Sequence, residues 1–221
     1  MDESTRRSSA VRRRRTVGAV CALAVMGGGL LVGCGDDDKG GGDEASPPAS
    51  SGSDSPGGRL TEDQRERKAL IPKAKVTYDK ALDAATKTVK DTEPVKAELD
   101  SGPGGSPRWE TEVATSDGTA HAVFVDGVSG KAGKPRAEQD DADDRKELAS
   151  WLGKAKVTAE QAAQVAIGEK KGTVAAIELD DDDSGKVVWS VDVVTPKDWN
   201  KTTYDIDVTN RKVLREHVDR D

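Results

Sequence analysis

An alanine-rich helical pattern followed by three short runs of alternating apolar and polar residues occurs twice along this chain, in the same order and with similar spacing. The first round opens at Lys75-Val76-Thr77 and the second at Lys156-Val157-Thr158. Ala81, Leu82, Ala84, Ala85 and Val89 then line one helical face, and Ala162, Ala163, Val165, Ala166 and Ile167 line its counterpart. Thr77 and Thr158 stand where N-caps are expected, and Thr158-Ala159-Glu160-Gln161 has the spacing of a capping box. The first copy carries Lys80 at that last position. Three strands follow in each round. Val95–Leu99 corresponds to Val174–Leu179, Trp109–Val113 to Trp189–Val193, and His121–Val125 to Tyr204–Val208. Side chains on a strand point alternately to opposite faces, so these runs predict sheets with one face buried and one wet. Asp100 to Gly105 and Asp180 to Gly185 supply turn residues between the first two strands of each copy.

The expected fold is therefore α+β: two tandem units, each one helix packed on a three- or four-stranded antiparallel sheet. A residual edge strand is expected at Lys212 to Arg215. Each unit is small for an independent core, and aromatic residues make up only 3% of the chain, so the two are expected to pack on each other. The boundaries fall at residues 60–131 for the first unit and 149–221 for the second. Residues 132–148 are polar and charged and read as an exposed linker. Ala69-Leu70-Ile71 and Leu148 to Leu152 form apolar lead-ins, each expected to pack on its own unit as a strand or helical turn.

The N-terminal pattern is different. Arg6, Arg7 and Arg12 to Arg15 precede an apolar stretch from Val17 to Val32, shorter than the about 20 residues of a membrane span. Leu31-Val32-Gly33-Cys34 closes that stretch and resembles the lipobox of bacterial lipoproteins, in which the cysteine is acylated and the preceding peptide removed. Residues 1–33 are thus expected to be a signal peptide, Cys34 the lipidation site, and the outer face of the cytoplasmic membrane the location. Residues 34–59 are rich in Gly, Ser, Pro and Asp, a composition that cannot bury enough apolar surface to order itself. Such a tether has a reach of roughly 25–30 Å.

Cleavage would change the formal charge from −7 to −11. An acidic chain without a basic strip is not expected to bind nucleic acid. Cys21 would leave with the leader and Cys34 would be acylated, so neither disulfides nor thiol chemistry is expected in the mature protein.

Both repeats resemble PepSY domains, the second more closely through Val157-Thr158-Ala159-Glu160-Gln161-Ala162, Trp189-Ser190-Val191-Asp192-Val193 and Tyr204-Asp205-Ile206-Asp207-Val208-Thr209. The resemblance covers roughly residues 75–131 and 156–216. It implies a secreted or membrane-bound bacterial module that regulates or inhibits peptidases and has no catalytic residues of its own. The expected partners are the bilayer, through acylated Cys34, and a peptidase or other envelope protein. The rival is a passive, wall-associated lipoprotein.

Candidate chemistry is sparse. His121 lies in an alternating strand and His217 in the charged C-terminal tail, and neither has a motif around it. Asp180-x-Asp182-x-Ser184-Gly185 resembles the opening of a calcium loop, but Val191 stands where the bidentate carboxylate belongs. No enzyme activity, metal or cofactor is expected. Trp109, Trp189, Trp199 and Tyr204 are the candidate peptide or partner contacts. Trp109 and Trp189 also fit a sheet core. A cleft between the repeats offers a place for a peptide to add as an edge strand.

Overall fold

The structure, a computed structural model, describes residues 59–219, which lie in one compact unit. The leader, Cys34 and the tether as far as residue 58 fall outside the described residues. Among the described residues there are four α-helices: α1 (Glu62–Leu70), α2 (Tyr78–Thr86), α3 (Ala142–Lys154) and α4 (Ala159–Glu169). The strands are β1 (Thr92–Ser101), β2 (Pro107–Thr115), β3 (Ala120–Asp126), β4 (Arg136–Ala137), β5 (Thr173–Asp181), β6 (Val187–Val194), β7 (Lys201–Asp207) and β8 (Val213–Asp219).

All eight strands form one antiparallel sheet in the order β4-β3-β2-β1-β5-β6-β7-β8. The α+β class and the doubled unit stand as expected from the sequence. The repeats meet edge to edge, with Lys96 opposite Glu178, Ala97 opposite Ile177 and Glu98 opposite Ala176. Aligned on Trp109 and Trp189, Ala97 and Ile177 are equivalent positions, so a pseudo-twofold axis passes through that pair. Both inner strands carry a bulge at the same place, between Pro94 and Lys96 and between Val174 and Ala176. Pro94 lacks an amide hydrogen and is accommodated in a central strand because it sits at this break in the ladder. The inner edges are hydrogen-bonded to each other. In this state no cleft between the repeats is open to an added strand.

Helices α2 and α4 cover the apolar face. Ala81, Leu82 and Ala85 from α2 and Ala162, Ala163 and Ala166 from α4 are buried against Val113, Val123, Ile177, Val191 and Ile206. Alanines here let the helices approach the sheet closely, which suits a core with few aromatic residues. Thr158 and Gln161 form the reciprocal capping box, whereas Thr77 makes no side-chain cap bond, and Lys80, which has no side-chain acceptor, cannot supply the return bond to the Thr77 amide.

Two expectations are corrected at the lead-ins. Both are full helices, and the second takes in the last part, residues 142–148, of the charged segment that composition reads as a loop. Asp141 caps α3 by accepting from the amides of Asp143 and Asp144, so the acidic cluster acts as a helix start. Each lead-in also touches the other copy. Gln64 of α1 donates to Asn200 in the β6–β7 turn at 2.8 Å, and Arg67 pairs with Asp219 of β8 at 3.6 Å. Reciprocally, α3 lies so close to the β2–β3 turn that a Cβ on Gly118 would fall 1.8 Å from the Arg145 carbonyl oxygen. Gly118 has φ +82°, a second reason for glycine there. No helix among the described residues is long and apolar enough to cross a membrane.

Candidate functional site

The two tryptophans at the third position of the second strand in each copy play the same structural part. The Trp109 indole N–H donates to the Val76 carbonyl at 2.8 Å, and that of Trp189 to the Val157 carbonyl at 2.7 Å. Both acceptors immediately precede the N-cap threonine of the unit's helix, so each ring fixes where helix meets sheet. The indoles are 1% and 3% exposed. Tyr204, at 2%, lies in the same core, and its hydroxyl donates to Glu216 at 3.3 Å. Burial, with Glu216 adjacent, pushes its ionisation up to about 12. Trp109, Trp189 and Tyr204 are therefore core residues in the folded body and offer no surface to a partner. Trp199 is half-buried in the β6–β7 turn, with φ +60° and its amide donating to the Thr195 carbonyl at 2.8 Å. It is the one aromatic candidate with appreciable access to solvent. The lipidation candidate Cys34 lies outside the described residues.

An ionic cluster sits on the other face of the sheet, where the repeats join. Lys96 is directly opposite Glu112 on one side and Glu178 on the other. Its ammonium is 2.9 Å from Glu98 and 3.9 Å from Glu178. Burial opposes the charge on Lys96, but Glu178 and Glu98 outweigh it and hold the ammonium above its usual range. Burial pushes the Glu178 carboxyl up to about 7 despite the attraction of Lys96. Glu110 is also raised, by burial first and then by Glu98. Lys96, helped by Arg108 at Glu110, thus balances several carboxylates across three strands.

A second cluster belongs to the β7–β8 turn. The buried Asp207 accepts from the Thr209 amide and hydroxyl, from Asn210, and from Lys186 at 2.7 Å. Burial disfavours its charge, yet the Lys186 and Thr209 hydrogen bonds prevail and keep the carboxyl below its ordinary range. The calcium-like sequence forms an ordinary hairpin turn: Asp182 accepts from the Ser184 amide and hydroxyl and from the Lys186 amide. Among the described residues, no three His, Cys, Asp or Glu side chains converge as metal ligands. His121 pairs across to Val113 within the sheet, and His217 is exposed on β8.

Sequence reasoning did not single out Lys96 and Glu178. A signal was present in the repeat alignment, where Glu98 and Glu178 are equivalent while Lys96 stands opposite Ala176 in the alignment. Without the β1–β5 register, nothing placed these residues together.

Residues 75–132 and 156–217 each match the model of the family described as peptidase propeptide and YPEB domain, or PepSY. No curated protein matches the chain. Among solved structures, it is similar to that of a Clostridium difficile 630 protein described as a lipoprotein, at 21% identity and a TM-score of 0.42, with 66% of this chain and 95% of that one covered.

Proposed function

The chain belongs to the peptidase propeptide and YPEB domain family, and from that premise we propose a non-catalytic binding or regulatory module that modulates a peptidase outside the cytoplasmic membrane. The observation that carries this reading is the double match, since two family units joined in one sheet make up most of the described body. Regulation by binding suits such a body. The Trp109 and Trp189 side chains organise its fold, leaving recognition to its turns and outer strands.

The membrane anchor is part of the proposal and rests on the arginine-rich leader, the apolar stretch and Cys34. A flexible tether would let the folded body sample a partner held in or near the same bilayer. Tethering raises the effective concentration of even a weak binder.

The test places a photocrosslinker at position 199 in intact cells, where the half-buried Trp199 marks the β6–β7 turn. Recovery of a defined peptidase, whose activity changes when the purified chain is added back, supports the proposal. Recovery of wall polymer alone sinks it and favours a passive envelope protein. Mass spectrometry of the native N-terminus tests the anchor separately: a diacylglyceryl Cys34 is expected, and an unmodified residue there removes that part.

A further inference from the structure

The duplication supplies an internal control, because a residue the fold requires is expected in both copies. Along the outer side of α2 the copies part company. Lys80, Asp83 and Lys87 of α2 and its C-cap align with Gln161, Gln164 and Gly168 of α4. At Lys80 the difference works against the fold. It occupies the third helical position, where Gln161 completes the capping box of α4, and α2 forgoes that bond. A cation in the first turn also opposes the helix dipole. Proteins break such local rules at functional or strained sites, and the fold gives no compensating contact to Lys80.

Lys80 borders a groove of about 580 Å³ between α2 and residues 129–132. Lys75 and Lys87 line the same groove, with Val76, Ala84 and Ala132 as its apolar part. None of the three ammonium groups is hydrogen-bonded or ion-paired within the described residues, although Asp83 lies along the same wall. Three unpaired lysines against one aspartate leave the groove with net positive charge on a chain whose formal charge is −7.

We propose that this groove is a binding site for a phosphate-bearing anion. Lysine binds phosphate as a mobile point charge, and three of them against one aspartate supply more positive charge than a single carboxylate balances, which suits the multiple charge and several oxygens of a phosphate group. The apolar wall would take the carbon portion of an ester. Binding weakens as salt is raised, because all three ammonium groups reach solvent.

The experiment uses the full chain in neutral detergent micelles, titrated calorimetrically with inorganic pyrophosphate and, separately, with glycerophosphoglycerol. The first stands for a free phosphate and the second for an anionic lipid headgroup, so the tighter of the two identifies the source. Saturable binding is expected, weakened about tenfold by Lys80→Gln with Lys87→Gln. The control pair Lys170→Gln with Lys171→Gln, at the end of α4, is expected to change it by less than about twofold. Lys80→Gln restores the capping-box residue, so near-ultraviolet circular dichroism should report an intact tryptophan environment. Absence of saturable binding to either anion, or equal effects of the two lysine pairs, overturns the proposal.

Discussion

Trp109 and Trp189 show most plainly how a residue's part follows from what its polar atom can reach. The alternating pattern identifies both rings as facing a buried layer, but each acceptor is a carbonyl more than thirty positions earlier, 33 residues for Trp109 and 32 for Trp189. No local pattern reports such a bond. Trp189→Phe keeps most of the ring and leaves the Val157 carbonyl without its donor, so a loss of about 1–3 kcal/mol in urea unfolding is expected. Trp109→Phe should lose a similar amount, and a change near zero for either would show that the indole bond contributes no stability. Gly118 makes a sharper case. Its φ of +82° and the nearby Arg145 carbonyl oxygen leave no room for a methyl group, so Gly118→Ala should cost at least about 2 kcal/mol. Gly185, with φ +81° and open space around it, should tolerate the same change better, and comparison of the two melting midpoints separates backbone strain from collision.

At the scale of elements, the β1–β5 junction was the least legible part of the fold. Helix and strand runs announce themselves by period, and the capping box of α4 is written in Thr158 and Gln161. The pairing of two inner strands is carried by backbone groups that every strand possesses, so residue types give little sign of it. The acidic start of α3 was hidden for a related reason, since Asp140 to Asp144 look equally suited to a solvated loop and to a helix N-terminus. The junction also carries a pH dependence. Glu178 faces Lys96 and Glu98 of β1, Glu112 of β2 and Asp180 of its own strand, and burial raises its carboxyl to about 7. Between the ordinary carboxylate range and about 7, the folded chain holds a proton that the unfolded chain has released. Unfolding free energy should therefore fall as pH rises through that window. With the side chain 33% exposed, solvent screening limits the effect to on the order of 1 kcal/mol. Asp205, raised chiefly by burial, adds in the same direction. Asp207 acts oppositely, contributing stability that disappears only in acid, as pH falls toward its depressed range. Denaturant unfolding at pH 5 and pH 8 should thus favour pH 5, and Glu178→Gln should flatten the slope. An unchanged slope would remove Glu178 as its source.

For the whole molecule, the doubled unit was readable from sequence and its assembly was not. A tandem reading leaves two small sheets side by side, whereas the chain builds one sheet of eight strands and lets each lead-in helix brace the opposite copy. The reciprocal contacts, Gln64 with Asn200 and α3 with Gly118, mean that neither copy is complete without the other. A fragment spanning 141–219 keeps the α3 cap and all of the second copy, yet it exposes the β5 edge and loses the contact of α1 with the β6–β7 turn. That edge can pair with itself about Ile177 in the register it uses with β1, because the junction is centred on equivalent residues. Ala176 would then replace Lys96 opposite Glu178, so the self-pairing lacks the cation that balances the native junction. The fragment is accordingly expected to melt below the full chain and to gain stability as its concentration rises, with dimers visible by analytical ultracentrifugation. The full chain, its inner edges already paired, should show no such dependence at that junction. Melting of the fragment at the full-chain temperature, independent of concentration, would mean that the second copy is self-sufficient and that the shared sheet adds nothing to its stability.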